Sequence, residues 1–145
     1  MADQSVSFNG WASFGTSNLQ QWSYHPRPLG ASDVEIEISH CGICGSDIHT
    51  MTEGWGPLRH GPCITGHEII GQVVARGDKV SAKLSLGDRV GVGAMVDSCK
   101  ECEYCKQGLD QQCKKMAFTY NDTFKEDGRP GVTYGGYADR IRVPA

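Results

Sequence analysis

Residues 33–49 read DVEIEISHCGICGSDIH. The first seven alternate: Val34, Ile36 and Ile38 fall on one side, Glu35, Glu37 and Ser39 on the other. That period predicts a half-buried β-strand. It runs directly into Cys41-Gly42-Ile43-Cys44, so two thiols sit at a strand end, and residues 47–53 read as a short helix beyond them. Working outward, the same reading gives strands at 8–14 (FNGWASF) and 21–24, with a proline-rich loop, HPRPLG, at 25–30. Residues 67–76, HEIIGQVVAR, are more continuously apolar, as in a strand covered on both sides. Turns at Gly77-Asp78 and Leu86-Gly87-Asp88 separate it from a further strand at 89–96, RVGVGAMV. Residues 137–143 alternate again, with Ile141 and Val143 set against Arg140 and Arg142. A second short helix is expected at 103–111. The fold class is therefore mainly β.

The composition agrees. The 145 residues fit one domain with a small lobe attached. Nineteen glycines, about twice the usual share, call for many tight turns. Fourteen Lys and Arg against 17 Asp and Glu give a net charge of −3. With no basic block, nucleic acid and anionic membrane are poor partners. No apolar run approaches the roughly 20 residues of a membrane span. The N-terminus lacks the basic-then-apolar pattern of a secretory signal, so a cytoplasmic location is expected. The end at Val143-Pro144-Ala145, directly after a strand, reads as a cut.

Seven cysteines are an odd number and too sparse for a secreted disulfide scaffold, which makes metal ligation the better reading. Cys99, Cys102, Cys105 and Cys113 form C-x2-C-x2-C-x7-C. The short gaps let thiolates converge on one ion, and the fourth ligand closes a tetrahedron with bonds of about 2.3 Å. A bacterial ferredoxin run would end x3-Cys-Pro; here the gap is x7 and Lys114 follows. Structural zinc fits best, with mononuclear iron chemically open. A second constellation joins Cys44 to His67 and Glu68. Two or three protein ligands leave room for a water or an alcohol, as catalytic zinc requires. Cys41 and Cys44 also make a C-x2-C, so a redox disulfide competes.

CGICGSDIH, WG, GHEIIG, GDRVGVG, the x2-x2-x7 cysteines, YND and GGYA follow one another in this order. In that series the chain resembles the zinc-dependent medium-chain alcohol dehydrogenases, and within them the NADP-dependent cinnamyl alcohol dehydrogenase branch. The resemblance implies a GroES-like catalytic domain over residues 1–145. That domain is a curved β-barrel with few short helices and a structural-zinc lobe at about 97–115. A Rossmann domain would follow, and the chain has no G-x-G-x-x-G after a strand; the third catalytic-zinc cysteine would lie downstream too.

Residue by residue, the resemblance puts Cys44 and His67 on the catalytic zinc with Glu68 beside it. Asp47 would accept from the His67 imidazole. Ser46 would hydrogen-bond the substrate oxygen, and His49 would pass its proton toward solvent. Trp55 and Phe118 would line a pocket for bulky or aromatic aldehydes, with core packing the competing role. Zinc would act as a Lewis acid, and hydride would pass between substrate and NADP(H). The partners implied are a small alcohol or aldehyde and, for the complete enzyme, a second copy in a homodimer. Cys41 and Cys63 read as packing cysteines, and His25, His40 and His60 as surface or capping residues. A polyol or threonine dehydrogenase domain, or a stand-alone zinc-binding β module, are the alternatives.

Overall fold

A computed structural model describes residues 3–15, 17–124 and 131–145. Its strands are β1 (Phe8–Ser13), β2 (Leu19–Tyr24), β3 (Asp33–Cys41), β4 (Ile69–Arg76), β5 (Arg89–Val92), β6 (Met95–Asp97), β7 (Ala117–Phe118) and β8 (Arg140–Pro144). Two short helices, α1 (Gly45–Met51) and α2 (Glu103–Lys106), and a 3-10 turn at Asp110–Gln112 complete the regular structure. The central sheet has the antiparallel order β5-β4-β3-β8; β1-β2 and β6-β7 are two-stranded. Single bridges, Gly10 to Ala138 and Ser13 to Cys63, tie the β1–β2 hairpin to the rest. The expected barrel is thus assembled from three open ladders stitched together. No helix among the described residues is long and apolar enough to cross a membrane.

The alternation of residues 33–39 does form the central strand, but its outer face is not uniformly wet. Glu35 is buried. β8 pairs along β3 and brings two cations to it: Arg140 Nη1 donates to Glu35 at 2.9 Å and Arg142 Nε at 2.8 Å. Arg142 is buried as well. A buried carboxylate is tolerable only with such partners. The inner face packs Val34 and Ile36 against Ile69, Val73, Val80, Ile141 and Val143. A second cluster holds Phe8, Ala12, Tyr24 and Ile64. Fully burying each Val, Ile or Phe side chain among them contributes about 1.5–3 kcal/mol.

Most element bounds differ from expectation: α1 runs Gly45–Met51 rather than 47–53, β2 starts at Leu19 rather than 21, and β1 and β3 end at Ser13 and Cys41 rather than 14 and 39. The strand read at 67–76 starts at Ile69, which leaves His67 and Glu68 on the approach to it. The run 89–96 breaks at Gly93-Ala94 into β5 and β6, because β5 pairs with β4 while β6 leaves to pair with β7. The last strand starts at Arg140, not Tyr137. The helix read at 103–111 ends at Lys106; Gly108, at φ +73°, turns the chain out of it.

Candidate functional site

β3 and β4 are antiparallel neighbours, with Cys41 opposite Ile69. The end of one therefore meets the start of the other. The ladder runs one step further through Gly42 N–H donating to Glu68 O at 3.0 Å. Cys44, three residues past β3, and His67, two before β4, are brought near each other by this register. The ligand atoms of Cys44, His67 and Glu68 lie within 4.8 Å of one another. Two glycines make the approach possible. A Cβ on Gly42 would stand 2.0 Å from a Glu68 carboxylate oxygen. Gly66, at φ +99°, has Cys41 Sγ where its own Cβ would go, 2.8 Å away.

Asp47 holds the two loops in place. It is fully buried in the first turn of α1. Oδ2 accepts from the Cys44 backbone N–H at 2.9 Å and from the Tyr137 hydroxyl at 2.8 Å. Oδ1 accepts from the Gly66 N–H at 3.0 Å. One carboxylate thus grips the backbone beside Cys44 and beside His67. The expected hydrogen bond from the imidazole is not formed: His67 Nδ1 stands 3.7 Å from Asp47 Oδ1, beyond hydrogen-bonding distance. Backbone and tyrosine donors hold the carboxylate instead. Asp47 positions the ligand loops through their main chain, and only weakly through the ring.

Ser46 and His67 open into a cavity of about 450 Å³ whose walls include Trp55, Phe118 and Tyr120. Trp55 is 68 % and Phe118 46 % exposed, so neither is a core residue and both face the cavity. Ser46 Oγ accepts from the Tyr120 hydroxyl at 3.3 Å, and the Tyr120 ring stacks on His67 with centroids 5.8 Å apart. Burial raises the Tyr120 phenol, which keeps it a donor. Sequence reasoning missed Tyr120 and Tyr137 as site residues; the signal was present, since both lie in motifs, YND and GGYA, read only as marks of resemblance. His49 instead stacks on Trp55, centroids 5.0 Å apart. No hydrogen bond between Ser46 and His49 occurs among the described residues, so the relay is not closed in this conformation.

The second cluster is denser. The four sulfurs of Cys99, Cys102, Cys105 and Cys113 lie within 4.8 Å of one another. Cys102–Cys105 and Cys99–Cys113 are 3.5 Å apart and Cys99–Cys105 3.9 Å. A tetrahedron with bonds of about 2.3 Å has edges of about 3.8 Å, so the thiols fit one ion of zinc's size. Backbone N–H groups of Cys99 and Lys115 point at Cys113 Sγ, and that of Cys102 at Cys99 Sγ. The N–H groups of Glu101 and Cys102 pull the Cys99 thiol down to about 6. Lys100, in the left-handed region at φ +58°, lets the loop bend between Cys99 and Cys102. The loop hangs from a clamped neck: β6 and β7 pair, Met95 with Phe118 and Asp97 with Ala117.

The remaining candidates behave as packing or surface residues. None of the seven cysteines is in a disulfide, and the Cys44 thiol gathers with the His67 and Glu68 donors. Cys63 is 1 % exposed, and burial pushes its thiol up to about 12. Burial also raises Cys41. His25 and His40 are exposed, the first bonded to Val6 O and the second to its neighbour Ser39 Oγ. His60 is half-buried and takes part through its backbone.

This combination of fold and donor sets has close parallels. Residues 30–145 match the family described as the alcohol dehydrogenase GroES-like domain, and the chain belongs to it. It is 49 % identical over 117 residues to the aldehyde reductase YahK of Escherichia coli (strain K12), covering 81 % of this chain and 32 % of that protein. It is 42 % identical over 144 residues to cinnamyl alcohol dehydrogenase 3 of Arabidopsis thaliana, covering 99 % of this chain and 37 % of that one. The crystal structure of CAD from Helicobacter pylori complexed with NADP(H) superposes with a TM-score of 0.86 at 38 % identity, covering 96 % of this chain and 40 % of that one. The chain thus spans about a third of the length of the curated relatives it matches.

Proposed function

We propose that the chain is the catalytic domain of a zinc-containing, NADP-dependent alcohol dehydrogenase that interconverts bulky or aromatic aldehydes with their primary alcohols. One observation carries this reading: Cys44, His67 and Glu68 converge beside Ser46 at the end of an aromatic-walled cavity. Cys44, His67 and Glu68 would hold the catalytic zinc, and Cys99, Cys102, Cys105 and Cys113 the structural one. When bound, that catalytic zinc polarises the substrate oxygen, and NADP(H), carried on another part of the enzyme, exchanges the hydride.

The chain's own residues do the rest. Trp55 and Phe118 receive the aromatic body of the substrate. Tyr120 donates to Ser46 Oγ, which leaves the Ser46 proton free to point at the substrate oxygen. In alcohol oxidation Ser46 Oγ would accept the substrate proton and pass its own to His49, one helical turn further along α1, once the His49 ring leaves Trp55; in reduction the protons would run back along the same path. Asp47 keeps Cys44 and His67 in register. Positioning supplies much of the rate, so the chain alone lacks half of the reacting pair.

The test is a chimera in which residues 1–145 replace the matching segment of the Helicobacter pylori protein. It is expected to reduce cinnamaldehyde with NADPH, and C44S is expected to abolish turnover. The isolated chain is expected to show none. A folded, zinc-loaded chimera with no turnover would overturn the reading. The nearness of Glu68 to the donor set favours, as a second reading, a polyol dehydrogenase, in which that glutamate is a direct ligand; oxidation of sorbitol but not cinnamyl alcohol would select it.

A further inference from the structure

The cavity carries one group the reaction above leaves unused. Arg59 lines it together with Ser46, His67, Trp55 and Phe118, and it is the only lysine, arginine or carboxylate among those lining residues. Its backbone is held in place from across the cavity. Asn121 Oδ1 accepts the N–H groups of both Arg59 and His60, at 2.9 and 3.1 Å. Asn121 itself sits at φ +55°, a left-handed conformation that asparagine tolerates better than most residues. One residue earlier, Leu58 N–H donates to Glu53 Oε1 at 3.0 Å. The segment that carries Arg59 is thus pinned at three successive amides.

The guanidinium is not used up inside the protein. Arg27 pairs with Asp33, Arg140 with Glu35 and Glu37, and Arg142 with Glu35 and Asp3. Arg76 donates to the Leu84 and Val80 carbonyls. Arg59 has no carboxylate partner among the described residues. An unpaired, planar cation carried on a pinned backbone at an aromatic-walled cavity matches a flat substrate with an anionic end, because guanidinium binds carboxylate in a bidentate fork.

We propose that Arg59 is a specificity residue and that the cavity favours aromatic aldehydes bearing a carboxylate on the ring, over their uncharged counterparts. The proposal rests on the aldehyde reading above. It concerns binding and needs no hydride transfer.

The test uses the zinc-loaded chain, with amide NMR signals of Phe118 and Tyr120 as reporters and two probes, 4-formylbenzoate and its neutral methyl ester. The acid is expected to bind about three- to fivefold tighter than the ester at low salt, as one partly exposed ion pair allows. The preference should shrink at about 0.5 M salt. R59Q is expected to erase it without changing the affinity for the ester, since only the side chain is altered and the backbone clamp remains. R59K should keep part of it. An acid-to-ester ratio unchanged by R59Q would overturn the proposal and leave the aldehyde site standing, as would equal binding of acid and ester. Displacement of the acid by inorganic phosphate at equal concentration would overturn it too, marking a general anion site. If neither aldehyde shifts the reporters, the aldehyde reading fails and the proposal falls with it.

Discussion

The Cys99–Cys113 cluster draws all its ligands from one contiguous loop, whereas Cys44, His67 and Glu68 come from two loops that the β3–β4 register brings near each other. The first surrounds its centre with four sulfurs and has no place for a substrate. The second offers three unlike donors, one of them an exposed carboxylate, and faces a cavity. A local loop can close on a metal wherever its neck is held. A site assembled across a sheet needs something to keep its halves in step, and here that is Asp47. The two regions also touch one chain segment: β7 closes the neck of the loop and runs on into Phe118, Tyr120 and Asn121 on the cavity wall.

The largest expected effect breaks the second region alone. D47A would leave the Cys44 and Gly66 N–H groups without their acceptor, and the Tyr137 hydroxyl with only the Gly42 carbonyl at 3.4 Å. It should cost about 3–5 kcal/mol in urea unfolding, and D47N clearly less. A loss under about 1 kcal/mol would mean that the two loops hold their register without it.

Next in size, C99S should open the first region. Hydrogen exchange should quicken across residues 99–113 while β3 and β4 keep their protection. A smaller loss is expected at Phe118–Asn121, because the neck supports that wall. Uniform loss of protection throughout the chain would contradict the separation of the two regions.

The contrast was only partly legible beforehand. The four-cysteine loop could be read directly, since spacing along the chain is spacing in space there. Cys44 and His67 were legible because each abuts a strand with a strong apolar pattern. Tyr137 was not, because its contact with Asp47 spans 90 positions and depends on how the chain returns past the sheet. The burial of Glu35 was invisible to alternation, which cannot see that β8 delivers two arginines. Arg59 reads as an ordinary surface cation until Asn121 pins its backbone beside the cavity.

A smaller effect follows from the tyrosines. Burial raises Tyr24, Tyr120, Tyr134 and Tyr137, and for Tyr137 the bond to Asp47 adds to it. A phenol with a higher folded than unfolded value stabilises fully below the unfolded value, 10.0, and its contribution declines as pH rises past it. Stability should therefore fall above about pH 10. Y137F should flatten that fall and cost about 1–2 kcal/mol at neutral pH. A steeper alkaline fall in Y137F would reverse the sign and contradict the assignment.

The central claim, one closed sulfur centre and one open mixed centre, is tested most directly by chelator competition on the zinc-loaded chain. Two zinc ions are expected, released at different chelator strengths. The readily lost one should vanish in C44S and the tightly held one in C113S. A single zinc that survives both substitutions, or a tight zinc that disappears in C44S, would contradict it.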